Sequence, residues 1–257
     1  MTTEAEEHTD GGAIPNRIAL VTGATRGIGR AVAIALAADG VHVILTGRVT
    51  SALEETDDAI RALGGTATLI PLNLQQSDRV DGLGPTLYQR FGRLDVLVAN
   101  AGILGPLSPL AHVTTEAWDR VMQINLTVNW QLIRTLDPLL RRSAAGRAIF
   151  VTSGAARANH AYWGPYAVSK AGLEALVKTY AHEMTNTTVR ANLINPGPIR
   201  TQMRARAFPG ENPDTLPAPE DIAPLFVELA RPDCTSNGEI FDGPSWLRQH
   251  AKAGTSV

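Results

Sequence analysis

The stretch RIALVTGATRGIG, residues 17–29, is a short apolar run that breaks into a glycine-spaced turn and then an alanine-rich segment. A near-continuous apolar run suits a strand covered on both faces. Gly23, Gly27 and Gly29 follow in a GxxxGxG spacing, which lets the backbone turn tightly and approach a ligand closely. Residues 27–39 then read as a helix, whose first N–H groups and positive dipole end face that turn. A strand, a glycine turn and a helix N-terminus in this order make a seat for a phosphate group. The spacing alone is weak evidence, because it departs from GxGxxG and because glycine turns also serve purely structural ends.

Working outward, six further apolar runs recur: VHVILTG at 41–47, ATLIPLN at 67–73, LDVLVAN at 94–100, RAIFVTS at 147–153, VRANLIN at 189–195 and GEIFDG at 238–243. Most are separated by helix-compatible stretches, including a long amphipathic one at 115–142 with Thr114 or Thr115 as its cap. That alternation predicts parallel strands with helices on both faces, in one doubly wound α/β domain over residues 15–257. Gly23, Arg48, Asn73, Asn100, Ser153 and Gly197 each fall at or just past a strand end. In such sheets ligands bind beyond those ends. The long irregular stretch is 199–219, rich in arginine and proline, and a loop of that length in a compact domain reads as functional.

Composition narrows the classes. A net charge of -2 leaves no electrostatic footprint for nucleic acid or a membrane surface. Cys234 is the only cysteine, which excludes an intramolecular disulfide and a cysteine-rich zinc site. The six histidines show no metal-ligand spacing, so no metal is expected. No apolar run approaches the ~20 residues of a spanning helix. Residues 1–14 are acidic and polar, unlike a signal peptide, and are expected to be a disordered tail on a cytoplasmic protein.

Tyr166 and Lys170 stand four apart in YAVSK, which puts them on one helix face. A phenol beside an ammonium is a proton donor whose pKa the cation is expected to lower. The chain has three lysines against twenty arginines, so a lysine here is a chemical choice as well as a positive charge. A core tyrosine with a snorkelling lysine fits the spacing equally well when it is taken alone.

With TGATRGIG at 22–29, Asn100-Ala101-Gly102, Asn125, Ser153, Tyr166-x-x-x-Lys170 and PGPIRT at 196–201, the chain resembles the classical short-chain dehydrogenase/reductase family along nearly its whole length. The segment NPGPIRTQMRARAF is similar to little-characterised bacterial members. The resemblance implies a Rossmann-type sheet in the order 3-2-1-4-5-6-7. It implies Tyr166 as the acid or base, Ser153 as hydrogen-bond donor to the substrate oxygen, Lys170 on the nicotinamide ribose, and Asn125 as the anchor of a water that relays protons to Lys170. Cofactor contacts are implied for Gly23, Thr25, Arg26, Gly27, Ile28, Gly29, Asn73, Leu74, Asn100, Ala101, Gly102, Tyr166, Lys170, Pro196, Gly197, Ile199 and Thr201. Asn73 departs from the aspartate often found there, yet an amide still serves an adenine.

Charge argues for the cofactor. NAD-preferring relatives carry an acid after the second strand, whereas this chain has Gly47 and then Arg48. With Arg26 in the glycine turn, two guanidinium groups favour NADP(H), with NAD(H) the alternative. The expected reaction is hydride transfer between nicotinamide and a carbonyl or secondary alcohol. The rival is a catalytically silent NADP(H)-binding module that senses redox state or serves as an interaction partner. Arg157, Arg200, Arg204 and Arg206 offer a basic rim around the substrate loop 199–219, suited to an anionic substrate or an acyl-carrier thioester, or else a solvated polar face. His160, Tyr162 and Trp163 flank the substrate side, as pocket or as packing. The resemblance also implies a homo-oligomer, tetramer or dimer; the face Trp118, Val121, Met122, Leu126 fits core or interface, and residues 245–257 are a candidate for subunit contacts.

Overall fold

The computed structural model describes residues 15–253; the acidic segment 1–14 lies outside them. Seven strands form one sheet: β1 Ile18–Thr22, β2 His42–Gly47, β3 Ala67–Pro71, β4 Val96–Ala99, β5 Arg147–Val151, β6 Arg190–Asn195 and β7 Ile240–Asp242. Their order is 3-2-1-4-5-6-7. Every neighbouring pair is parallel, with Leu20 opposite Ile44 and Leu97 and Phe150 opposite Leu193. The expected architecture is therefore the one found, and it is fully parallel.

The helices are α1 Gly27–Ala38, α2 Thr50–Ala62, α3 Ser77–Asp81, α4 Leu83–Phe91, α5 Thr115–Met122, α6 Val128–Leu140, α7 Ala155–Ala158, α8 Gly164–Glu183, α9 Gln202–Ala207, α10 Pro219–Ala230 and α11 Gly243–Ala253. They cover both faces, which is why the strands are apolar without alternation. Ile18 and Leu20 pack on one side with Leu87, Leu132, Leu136 and Val177. Ala19 and Val21 pack on the other with Val32, Leu36, Leu53 and Phe226. Each fully buried leucine or isoleucine of this kind contributes about 1.5–3 kcal/mol.

Local chemistry sets the ends. Thr114 caps α5, its hydroxyl accepting from the Ala117 N–H at 3.3 Å. The long helix expected at 115–142 is interrupted by one π turn, Gln123–Thr127, which separates α5 from α6 and carries Asn125. Val121 is buried, which makes that part of the Trp118–Leu126 face core. The last strand is shorter than expected because α11 begins directly at Gly243, whose backbone lies against the Pro196 and Asn195 carbonyls; a Cβ there would sit 2.8 and 2.9 Å from them. The segment after it is therefore a helix, with Trp246 and Leu247 packed on the chain's own core. The 199–219 stretch is not uniformly irregular: it holds α9 and a 3-10 turn, Pro213–Thr215. Among the described residues no helix is long and apolar enough to cross a membrane.

Candidate active site

The strand ends converge on one cavity of about 520 Å³. Its base is the glycine turn. Gly23 takes φ of +68°, a left-handed conformation that favours glycine. At Gly29 any side chain is excluded: a Cβ would fall 2.3 Å from the Gly23 carbonyl and 2.4 Å from Asn100 Nδ2. This close approach brings the start of α1 against β1 and β4. Arg26, the N-cap, gives the first turn of α1 no side-chain hydrogen bond. The turn thus combines N–H groups that lack a side-chain cap, a positive dipole end and a cradle with no Cβ to fill it, which fits an anionic pyrophosphate.

Asn100 locks this turn to β4. Its Nδ2 donates to the Thr22 carbonyl at 3.0 Å, while the Thr22 hydroxyl accepts from the Asn100 and Ala101 N–H groups at 3.0 Å each. Asn125, fully buried on the π turn, clamps the chain that follows Gly102. Its Oδ1 accepts from the Ile103 N–H and its Nδ2 donates to the Ile103 carbonyl, both at 2.9 Å, and Nδ2 also donates to Ser169 Oγ at 3.0 Å on α8. The Asn125 carbonyl accepts from Asn129 Nδ2 at 2.8 Å. A Cβ on Gly102 would lie 3.4 Å from Asn125 Oδ1 and 3.6 Å from Lys170 Nζ, so Asn125 and Lys170 meet at this glycine.

Ser153 lies just past β5, and Tyr166 and Lys170 lie on α8. All three line the cavity. Lys170 Nζ donates to the Val151 carbonyl at 2.7 Å and lies 5.9 Å from the Tyr166 ring centroid. Burial lowers the Lys170 pKa to about 8. Burial pushes the Tyr166 phenol up, partly offset by the nearby Ser153 hydroxyl. The direction at Tyr166 is opposite to the one expected from the Tyr–Lys spacing. The reason is that α8 carries both groups out of water, and desolvation disfavours the phenolate more than the Ser153 hydroxyl favours it.

The remaining expected residues Gly23, Thr25, Arg26, Gly27, Ile28, Arg48, Asn73, Leu74, Asn100, Ala101, Gly102, Pro196, Gly197, Ile199 and Thr201 line the same cavity, and Gly29 lies beneath it. Asn73 makes an Asx turn, its Oδ1 accepting from the Gln75 N–H at 3.2 Å. The Thr201 hydroxyl caps α9, accepting from the Arg204 N–H at 3.2 Å. Arg26 and Arg48 are exposed, and Arg26 donates to Gln202 of α9 across the groove. Of the basic rim, Arg204 is held tightly by Glu211, Arg157 and Arg200 form looser, half-exposed pairs with Glu174 and Asp214 at 3.7 Å, and Arg206 is exposed. His160 and Tyr162 are exposed, whereas Trp163 lines the cavity.

Sequence reasoning missed Asn195. Its buried Oδ1 accepts from the Gly154 N–H at 3.0 Å and the Gly197 N–H at 3.3 Å, and its Nδ2 donates to Asp242 at 3.1 Å. It thereby holds the ends of β5, β6 and β7 together. The signal was a polar residue closing an apolar strand directly before Pro196-Gly197. Phe208 was also missed; it lines the cavity from the end of α9.

The sheet and this edge define an α/β protein with a nucleotide-type crevice beside a Ser–Tyr–Lys group. The sequence profile of the short chain dehydrogenases matches residues 17–212, and the chain belongs to that family of oxidoreductases. It is 38% identical over 231 residues to the uncharacterized oxidoreductase YciK of Escherichia coli K12, covering 88% of this chain and 91% of that one. A short chain dehydrogenase from Pseudomonas syringae is 43% identical with a TM-score of 0.86, covering 90% of this chain and 95% of that one. The structure of an Escherichia coli CFT073 short chain dehydrogenase complexed with NADPH is 37% identical with a TM-score of 0.85, over 90% of this chain and 97% of that one.

Proposed function

We propose that the protein is an NADP(H)-dependent oxidoreductase that interconverts a carbonyl and a secondary alcohol. The observation that carries this reading is the Tyr166 phenol, 8% exposed, beside Ser153 and Lys170 in the cavity that the glycine turn opens into. Gly23, Gly27, Gly29 and the start of α1 would hold the pyrophosphate, Arg26 and Arg48 the 2′-phosphate, and Asn73 and Leu74 the adenine. The segments 100–102 and 196–201 would hold the nicotinamide half, with Lys170 on its ribose. The NADPH complex of a 37% identical relative supports this choice, with NAD(H) as the alternative.

When bound, the reduced cofactor supplies the hydride that becomes the new C–H bond of the alcohol. The protein supplies the rest. Tyr166 gives its proton to the carbonyl oxygen, and Ser153 donates a hydrogen bond to that oxygen as charge gathers on it. A phenol is protonated at neutral pH, and burial here shifts it further toward that form. Asn125 keeps the 101–103 backbone in place, and Lys170 is held close beneath the phenol. In the reverse direction Tyr166 would first have to lose its proton, and its phenolate would then take the alcohol proton. Residues 15–257 act as one unit, and the family resemblance extends the reading to a cytoplasmic homo-oligomer, tetramer or dimer.

The test is Tyr166→Phe, followed by NADPH consumption over a panel of ketones, aldehydes and quinones, with NADPH binding measured by fluorescence. Binding is expected to survive while turnover falls at least ~100-fold. Unchanged turnover would remove Tyr166 as the proton donor. A wild-type chain that binds NADPH but reduces no carbonyl would point to the silent binding module.

A further inference from the structure

Three aromatic rings form a row from the proton donor to the mouth of the cavity. The Trp163 ring stands edge-on to Tyr166 with centroids 5.9 Å apart, and Phe208 lies 5.7 Å from Trp163 on the far side. Trp163 and Phe208 are each fixed from outside the row. Trp163 is delivered by a strained turn: Asn159 and Tyr162 hold positive φ of 51° and 73°, and the Tyr162 carbonyl accepts from the Ser108 N–H at 3.1 Å. Phe208 is covered by the Arg204 guanidinium at 3.7 Å from its centroid, and Arg204 is held by two hydrogen bonds to Glu211 at 2.5 and 2.6 Å. The charge nearest the aromatic row is therefore already used within its own loop. Arg200 lies 3.7 Å from Asp214 in a looser, solvent-exposed ion pair. Leu104, Ile124 and Met203 add further apolar lining to the same cavity.

Building on the carbonyl reading above, we propose that the substrate is a neutral carbonyl, or its alcohol, whose reacting carbon bears an aryl or flat apolar group stacked on Trp163 and Phe208. An aromatic wall rewards a flat apolar ligand by offset stacking and edge contacts. A ligand carboxylate would have to displace Glu211 from Arg204 to find a partner there. Arg120 also lines the cavity, from α5, and the carboxylated arm of the test below measures its weight.

The experiment compares acetophenone, 4-acetylbenzoate and butanone as substrates with saturating NADPH. The expected kcat/KM for acetophenone exceeds that for 4-acetylbenzoate by at least tenfold. The acetophenone-to-butanone ratio is expected to fall at least tenfold in Trp163→Ala and in Phe208→Leu. The second variant guards against misfolding, because Phe208 is 38% exposed. In Glu211→Gln, which frees Arg204, the 4-acetylbenzoate rate is expected to rise relative to acetophenone. A binding readout is run alongside: acetophenone should quench tryptophan fluorescence of the NADP+-loaded protein, and Trp163→Phe should abolish that quench. Quenching without turnover would sink the redox reading and leave the aromatic subsite standing. Turnover with no aryl preference, a preference for the carboxylate, or ratios unmoved by both variants would overturn the subsite.

Discussion

Replacing Lys170 by methionine should change the pH dependence of stability in a way that only a buried ammonium explains. Lys170 is 3% exposed, and burial takes its pKa from 10.5 to about 8. At about 1.4 kcal/mol per pKa unit, the protonated side chain is roughly 3 kcal/mol less favourable in the folded chain than in the unfolded one. Below pH 8 both states carry the proton and the whole penalty is present. Between pH 8 and 10.5 the unfolded chain still holds a proton that the folded chain has released, so stability rises with pH across that window. Methionine matches the length and removes the titration. It also removes the donor to the Val151 carbonyl, a loss of about 1–3 kcal/mol that does not vary with pH. Near pH 7 the two effects nearly offset, so the variant should be about as stable as the wild type or slightly more so. From pH 7 to pH 9.5 the wild type should then gain about 2 kcal/mol on Lys170→Met. Urea unfolding of both proteins at several pH values, followed by circular dichroism, measures that gap, because groups away from this site cancel in the difference and the folded Tyr166 phenol, raised by burial, stays protonated over this range. A gap that stays constant with pH would mean that Lys170 titrates alike in both states, and the reasoning from burial would be wrong. Turnover of the variant should be low at every pH, separating the stability of this site from its chemistry.

Two further outcomes follow from the same geometry. Asn195→Ala leaves the Gly154 and Gly197 N–H groups without their acceptor and should lower unfolding free energy by about 2–4 kcal/mol, with weaker NADPH binding, since Gly197 lines the cavity; an unchanged urea midpoint would show that these N–H groups find other partners. Arg48→Glu should weaken NADPH binding by roughly 10–100-fold while NADH binding holds or improves, because a carboxylate repels a 2′-phosphate and accepts from a ribose hydroxyl. Titration of both cofactors by fluorescence decides it, and equal losses for the two would remove Arg48 from cofactor choice.

What could be read in the sequence was what depends on neighbours along the chain. The Gly23, Gly27 and Gly29 spacing marked the turn, because backbone geometry there demands small residues whatever surrounds them. Thr114 marked a helix start because a cap acts within one turn. The apolar runs marked strands covered on both faces, and the sheet places Ile18 and Ala19 on opposite ones. The π turn at Gln123–Thr127 was not legible, since one extra residue in a helical turn barely disturbs an amphipathic pattern. Nor was the pairing of Arg204 with Glu211, because the two meet only through the path of a loop.

The Tyr166–Lys170 pair shows the limit most sharply. Spacing revealed that the two groups share a helix face, and from that alone a lowered phenol pKa follows. Desolvation depends on everything packed around α8, from Val151 on β5 to the π turn that carries Asn125, and it acts on both groups in opposite senses. It raises the phenol and lowers the ammonium, so each is driven toward its neutral form. A neutral phenol is the form that gives a proton away. The same packing therefore keeps the Tyr166 phenol protonated at neutral pH and brings Lys170 within reach of titration near pH 8. Any group that brings positive charge into this cavity or takes it away therefore acts first on Lys170, which titrates near pH 8, while the phenol stays protonated.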